Sequence, residues 1–152
     1  MVTMERDRFF QILLYLHFTD NENEPDMMDE NSDLLWKIRN LFKILNEKFS
    51  ILYNPSEHLA VDEFTVKYEG RVIFRQYISK KRKHFVIKIY KLCDETGCTY
   101  DMTVYLGRDR QQTAQHLTAT HATVLELTKE VQGCGHKLYM YGQLLLLPRL
   151  IR

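Results

Sequence analysis

Cysteine, proline and tryptophan are scarce in this sequence of 152 residues. The three cysteines, Cys93, Cys98 and Cys134, are odd in number and irregularly spaced. They therefore favour a reducing compartment over a disulfide framework. The longest apolar run, Leu144 to Pro148, is far too short to span a bilayer, so we expect no membrane-spanning segment. The N-terminal residues contain no apolar stretch behind a basic one, and we expect no secretory signal.

Several common signatures of function are also missing. The net charge of +1 indicates no global attraction to nucleic acid, so a nucleic-acid surface would have to be a local patch. The sequence contains no Gly-rich phosphate loop, no nucleophile elbow and no Ser/His/Asp arrangement. Its length suffices for one domain with one core, and no repeat or low-complexity linker marks a second domain.

The first third of the chain shows helical periodicity. Residues 4–18 have a wide apolar stripe, which predicts a helix packed on a core. Residues 34–49 repeat apolar side chains every three or four positions and predict a second helix, with Asp33 or Ser32 as its N-terminal cap. The acidic, asparagine-rich residues 19–33 lack periodicity and predict an exposed loop.

From His58 onward the pattern is that of strands. Alternation predicts strands within residues 58–66, 70–78, 84–92 and 99–107, with a turn at residues 94–98. A helix is predicted over residues 118–133, with Thr118 or Thr120 as its cap and Gly133 at its end, before a last strand at residues 136–140. This order predicts an α/β domain with a mixed sheet, whose last strand runs parallel to the first across a helical crossover.

Asp62 and Glu63 stand out because they interrupt an otherwise apolar strand, "HLAVDEFTV". A buried carboxylate is unfavourable unless it is paired or faces a cation. Carboxylates on neighbouring strands can hold Mg²⁺ for phosphoryl transfer on nucleic acid, which makes Asp62 a candidate metal ligand. The alternative is an edge strand with solvated acids, or with a salt bridge to Arg71 or Lys88.

A second candidate is the basic run "SKKRKHF", which lies between two predicted strands. Its cationic residues are Lys80, Lys81, Arg82 and Lys83, and Tyr77 and Phe85 flank them. Such a patch can hold a phosphate backbone. The alternative is a solvated hairpin tip that discourages edge pairing.

Cysteine and histidine spacings give only a weak indication of zinc. Cys93-x4-Cys98 is at the loose end of the usual ligand spacing, and Cys134-x-His136 is atypical. Buried or turn cysteines are the favoured interpretation.

Several blocks together resemble the piggyBac-type transposase domain. These blocks are "RFFQILLYLHFTDN", "KIRNLFKILNEKFSILYNPSEHLAVDE", "GRVIFRQYISKKRKHFVIKIYKLCDETGCTYDMTVYLG" and "GHKLYM". The resemblance implies an RNase H-like core that cuts and pastes DNA with acidic residues and divalent metal, Mg²⁺ in the family. It also implies that Asp62 is the first catalytic acid, that DNA is the partner, and that the protein is nuclear.

The tail, residues 141–152, departs from the pattern of that family. By resemblance, a second catalytic Asp in a motif close to "DNFFSSP" follows the "LYM" strand, and here that position is Tyr141. A third acid is expected further on and does not occur. Codons that encode Gly142 to Pro148 can, one base out of register, encode "DNFFSS". We therefore hypothesise that residues from about Tyr141 onward are an out-of-frame translation. The alternative is a true hydrophobic helix start in a diverged copy.

The resemblance divides the chain into three parts. Residues 1–57 are expected to form a helical lead-in, residues 58–140 a partial RNase H-like core truncated at its C-terminus, and residues 141–152 an aberrant tail. With Asp62 as its remaining acid, the chain is expected not to transpose DNA. Two alternatives stay open: a domesticated remnant that binds DNA, itself or an intact transposase through Lys80 to Lys83, and an unrelated metal-dependent nuclease.

Overall fold

The computed structural model describes residues 3–26, 29, 32–79, 84–107 and 118–140. The chain divides into two compact units, Met1–Ile44 and Leu45–Arg152. Three α-helices and five strands are described, together with two single turns of 3-10 helix. No helix in this described part is long and apolar enough to cross a bilayer. Residues 80–83 and 141–152, which include the basic run and the tail, lie outside the described residues.

The first unit contains helix α1, Arg6–Leu14, and a 3-10 turn at Asn21–Asn23. The expectation that the α1 stripe packs on a core is wrong, because no residue of this helix is buried. Phe9 is 50% exposed and Leu14 is 73% exposed. Ile12 and Leu13, which share one side of the helix with Phe9, are 40% and 48% exposed, so the apolar stripe itself is exposed.

The second helix begins later than its periodicity predicts. Helix α2 spans Arg39–Leu52, and residues 34–38 form hydrogen-bonded turns. Asp33 lies at the start of these turns, where its carboxylate accepts the backbone N–H of Leu35 at 3.0 Å. The same carboxylate forms a two-pronged salt bridge with Arg39, at 2.6 and 2.8 Å. This holds the turn in place and lowers the pKa of Asp33, chiefly through the hydrogen bond from Arg39.

The second unit is built on a five-stranded mixed sheet. Its strands are β1 (His58–Lys67), β2 (Gln76–Tyr77), β3 (Phe85–Asp94), β4 (Thr99–Val104) and β5 (Lys137–Met140). β1 lies between β3, which is antiparallel to it, and β5, which is parallel to it. The other edge of β3 pairs with β2 at one end and with β4 along the remainder. The predicted parallel pairing of the first and last strands is confirmed.

Helix α3, Ala119–Thr128, provides the crossover into β5. Thr118 caps it as predicted, because its Oγ1 accepts the His121 N–H at 3.3 Å. A 3-10 turn, Lys129–Val131, continues the helix, and Gly133 follows with a φ of +75°. This left-handed conformation favours glycine and ends the helix before β5.

The core lies between α3 and one face of the sheet. It consists of buried apolar side chains from two strands, β1 and β3, and from the helical segment: Leu59, Val61, Tyr90, Leu92, Val124, Leu127 and Val131. We call the sheet face that carries Leu59 and Val61 the core face. Because strand side chains alternate, Ala60, Asp62 and Phe64 lie on the opposite face, which we call the open face.

The predicted strand at residues 70–78 is much shorter in the structure. Only Gln76 and Tyr77 pair with β3, and residues 73–74 form a turn. The Arg75 N–H donates to the Val72 carbonyl at 3.3 Å, and the turn buries Phe74. Burial of this one aromatic ring therefore overrides the alternating pattern around it.

Candidate functional site

Asp62 lies in the middle of β1, exposed on the open face. Its Oδ1 accepts the backbone N–H of the next residue, Glu63, at 2.7 Å. The register sets Asp62 directly opposite Lys91 of β3. The Lys91 ammonium lies 3.5 Å from Thr99 Oγ1 and 5.4 Å from the centre of the Phe64 ring. The residue that faces Asp62 across the strand pair is therefore a lysine and not a second carboxylate, and its ammonium is directed to Thr99 and Phe64.

Glu63 points to the core face, away from Asp62, and pairs with Lys88 at 2.7 Å. Burial opposes the charge on Lys88, but the hydrogen bond to Glu63 leaves the pKa of the ammonium above its ordinary value. The Lys88 ammonium also lies 5.6 Å from the ring centres of Tyr90 and Tyr105. The salt bridge to Lys88 that the sequence offered as an alternative thus occurs, with Glu63 as the acid.

The described residues do not form a metal site around Asp62. Within the described ranges no group of three or more His, Cys, Asp or Glu side chains could hold a metal ion. Glu63 is on the other face and paired, and the cross-strand neighbour of Asp62 is a lysine. The donor set that is described therefore does not fit Mg²⁺, which needs several oxygen ligands.

β5 pairs with β1 on the side opposite β3, next to the position of Asp62. His58 of β1 and Tyr139 of β5 lie on the open face, and the His58 Nδ1 and the Tyr139 hydroxyl are 2.9 Å apart in a hydrogen bond. Met140, the last described residue of β5, is opposite Val61. β5 therefore reaches to within one residue of Asp62 along β1. Sequence reasoning missed His58 and Tyr139, because only the register between distant strands brings them together.

A second set of side chains, three rings and one arginine, flanks the basic run, whose residues 80–83 lie outside the described residues. Tyr77 of β2 is opposite Phe85 of β3, and their ring centres are 5.3 Å apart. His84 stacks on Tyr77 at 5.5 Å, with 27° between the ring planes. The guanidinium carbon of Arg75 lies 4.0 Å from the centre of the Phe85 ring. The sequence pointed to Tyr77 and Phe85, but it did not point to Arg75 or His84.

The cysteines do not assemble a zinc site in the described part of the chain. Cys93 is half-buried in β3, Cys98 is exposed at the β3–β4 turn, and Cys134 is exposed after α3. All three are free thiols. They are strand or turn cysteines, which is the interpretation that the spacing favoured.

Comparison with known proteins decides the family. The family model described as Transposase IS4 matches residues 2–147, which is nearly the whole chain. The chain belongs to this family, as a piggyBac-type transposase domain. The piggyBac-type resemblance is thereby confirmed, and transposases of this family are generally metal-dependent.

Two human relatives and one solved structure agree with this assignment. The chain is 37% identical over 97 residues, or 64% of its length, to the human PiggyBac transposable element-derived protein 3 and to the human Chimeric ERCC6-PGBD3 protein. It spans 15% and 8% of those two proteins. A piggyBac transposase chain, solved by cryo-EM in a synaptic complex with hairpin DNA, matches 98% of this chain with a TM-score of 0.74 and 25% identity. This chain spans 37% of that transposase.

The structural match confirms the predicted fold class. The mixed sheet, preceded by helices in the sequence, is the RNase H-like arrangement that the piggyBac-type resemblance implies. In this piggyBac-type domain the acid of the "VDE" block, Asp62, lies on the central strand β1 and is exposed on the open face.

Proposed function

We propose that this chain is a piggyBac-type transposase domain that binds DNA and does not transpose it. In this proposal Asp62 occupies the position of the family's first catalytic acid and is vestigial. The observation that carries the proposal is the pairing register, which sets Lys91 opposite Asp62 while Glu63 is engaged by Lys88 on the other face. A single carboxylate, with a lysine instead of a second acid at the facing position of β3, cannot position metal ions for in-line displacement at a phosphate.

The sequence that follows β5 supports the same conclusion. By resemblance the second catalytic acid falls at Tyr141, immediately after Met140, and Met140 is opposite Val61. A tyrosine is a poor ligand for Mg²⁺ at neutral pH, because its hydroxyl must first lose a proton with a pKa near ~10. We therefore expect Mg²⁺, the cofactor implied by the family, not to be bound productively here.

The proposal keeps the predicted division of the chain. Residues 1–57 are the helical lead-in, residues 58–140 the catalytic-core portion, and residues 141–152 the out-of-frame tail. The nucleotide sequence across the Met140 codon tests the last part. If no frame there encodes an Asp motif, the frameshift hypothesis is wrong.

DNA is the partner that the basic run favours, and the structural neighbour is a transposase bound to hairpin DNA. Lys80, Lys81, Arg82 and Lys83 place four cationic side chains between Ser79 and His84 in the sequence. In the proposal they contact phosphates, the protein acts in the nucleus, and it associates with itself or with an intact transposase. Affinity carried by phosphate contacts falls with salt, with a slope of about 0.9 per contact.

A salt titration of DNA binding tests this role of the basic run. We expect that replacing Lys80, Lys81, Arg82 and Lys83 by glutamine lowers the slope of log affinity against log salt by up to about 4. A control variant replaces the exposed Lys48 and Lys129 and should keep the slope of the parent chain. Equal slopes for the parent and the basic-run variant would show that these residues make no phosphate contact.

A cleavage assay tests the proposed loss of activity. The chain is incubated with labelled DNA and Mg²⁺ beside its Asp62→Asn variant, and we expect no cleavage from either protein. Cleavage by the parent chain that Asp62→Asn abolishes would contradict the vestigial role of Asp62. Cleavage that survives the substitution would assign the chemistry to other residues, as in an unrelated nuclease.

A further inference from the structure

The aromatic rings beside the basic run form a continuous surface. We call Tyr77, His84 and Phe85, together with the Arg75 guanidinium, the aromatic platform. Tyr77 contacts both other rings, with ring centres at 5.3 Å from Phe85 and 5.5 Å from His84. Arg75 covers Phe85 at 4.0 Å. Three rings and one cation thus lie within contact distance at one end of the sheet.

The platform is exposed, yet its backbone is held firmly. Tyr77 is 63% exposed and Phe85 is 44% exposed. The Ile78 N–H donates to the His84 carbonyl at 2.8 Å, and His84 Nδ1 donates to the Ile78 carbonyl at 3.3 Å. These two bonds join the end of β2 to the start of β3, at the residues on either side of the basic run. The rings are therefore positioned before any ligand arrives, which reduces the entropy lost on binding.

The composition of the platform favours a nucleobase over an apolar peptide. Ring faces stack on any base, because every base has a flat π-face. Arg75 has five N–H donors, and the structure uses one of its terminal nitrogens for the Gly70 carbonyl at 3.0 Å. Its remaining donors suit the phosphate that accompanies a base. The four cationic residues that follow Ser79 in the sequence have the same preference for anions.

We infer that the aromatic platform stacks an unpaired base of DNA. The base must be unpaired, since a base inside a duplex is already covered on both faces by its neighbours. Phe85 and Asp62 lie on the same open face, because Val66 of β1 is paired with Ile87 of β3. The distance between them is about 20 Å, the length of six strand residues. One DNA molecule can therefore reach both, and this inference rests on the proposed DNA-binding function.

Fluorescence of a base analogue tests the inference. The probes are a blunt duplex and the same duplex with a short single-stranded overhang that carries 2-aminopurine. The full chain is expected to bind the overhang DNA roughly 5- to 150-fold more tightly than the blunt DNA, the range that corresponds to one stacked base. Stacking should also quench the 2-aminopurine emission. Tyr77→Leu should abolish both the preference and the quenching, while Tyr77→Phe, which keeps the ring, should retain them.

The outcomes separate this inference from the proposed function. If the chain binds both probes equally and without quenching, the platform does not stack a base, although DNA binding stands. If the chain binds neither probe, the proposed function fails and the inference fails with it. If Tyr77→Leu also loses affinity for blunt duplex, Tyr77 contacts paired DNA and the inference is overturned. Circular dichroism checks the fold of each variant, and His84→Ala provides a second test should Tyr77→Leu unfold.

Discussion

Replacing Asp101 by asparagine is expected to stabilise the folded chain at neutral pH. Asp101 lies on β4 opposite Leu92, which is completely buried, and its carboxylate has the Met102 backbone N–H as a donor at 2.7 Å. Burial raises the pKa of Asp101 from 3.8 to about 6, the hydrogen bond from Met102 opposes this, and Glu126 and Glu130 raise it further. The folded protein therefore prefers this carboxyl group protonated.

The sign and size of the effect follow from this difference in pKa. When the pKa of an acid is higher in the folded state, its protonation contributes to the free energy of unfolding. This contribution is fully present below the unfolded pKa and is lost as the pH rises through the folded pKa. The difference between 3.8 and about 6 corresponds to roughly 3 kcal/mol at pH 7.5. Because part of the Asp101 side chain is solvated, screening reduces the expected value to about 1–2 kcal/mol.

Denaturant unfolding at several pH values measures the effect. Asp101→Asn should be more stable than the parent chain at pH 7.5, and this advantage should shrink steadily between pH 7 and pH 4. Asparagine keeps an acceptor for the Met102 N–H, so the substitution removes the charge without removing the hydrogen bond. The control Glu95→Gln makes the same charge change at an exposed turn residue and should have little effect. An advantage of Asp101→Asn that is absent at pH 7.5, or independent of pH, would refute the reasoning.

Two further predictions concern the β3–β4 turn and the core. Asp94 accepts hydrogen bonds from Thr96, from the Tyr53 hydroxyl and from the Cys98 N–H, which lower the pKa of its carboxyl group. Its contribution to folding is therefore present above its unfolded pKa and lost as the pH falls through the folded value. Thermal unfolding of Asp94→Asn should show a lower midpoint at pH 7 and a smaller deficit below pH 4, and a deficit that does not change with pH would contradict this. Leu92→Ala removes a completely buried side chain and should lower the free energy of unfolding by 2–5 kcal/mol in denaturant titration, against less than about 1 kcal/mol for Val66→Thr on the open face.

The elements that the sequence predicted well are those in which one periodic pattern and burial coincide. β1, β3 and β4 alternate in sequence, and buried members of β1 and β3, such as Val61 and Leu92, form the core. The β3–β4 turn was predicted from its composition, and the Gly97 N–H donates to the Asp94 carbonyl there at 3.0 Å. The local sequence pattern therefore predicts a strand or turn correctly where packing against the neighbouring element favours the same structure.

The failures occur where a contact between residues decides the structure. α2 begins only after the turns across which Asp33 pairs with Arg39, and the turn that buries Phe74 interrupts the predicted strand before Gln76. The apolar stripe of α1 predicted packing on a core, but no residue of this helix is buried. The sequence did not predict the roles of Arg75 and His84 for the same kind of reason. Arg75 contacts Phe85, and His84 contacts Tyr77, only once β2 and β3 have paired.

The two neighbouring acids of β1 show how strongly the register of a strand decides chemistry. Asp62 and Glu63 are adjacent in sequence, so a strand must send their side chains to opposite faces. The antiparallel register then places Lys91 opposite Asp62, whereas the other face brings the ammonium of Lys88 to Glu63. The sequence offered a metal site and a salt bridge as alternatives for this pair. The strand gives Glu63 the salt bridge, and it leaves Asp62 on the open face without a second carboxylate among the residues that the structure describes. By resemblance to the piggyBac-type domain, a second acid is expected directly after β5, and the sequence has Tyr141 at that position.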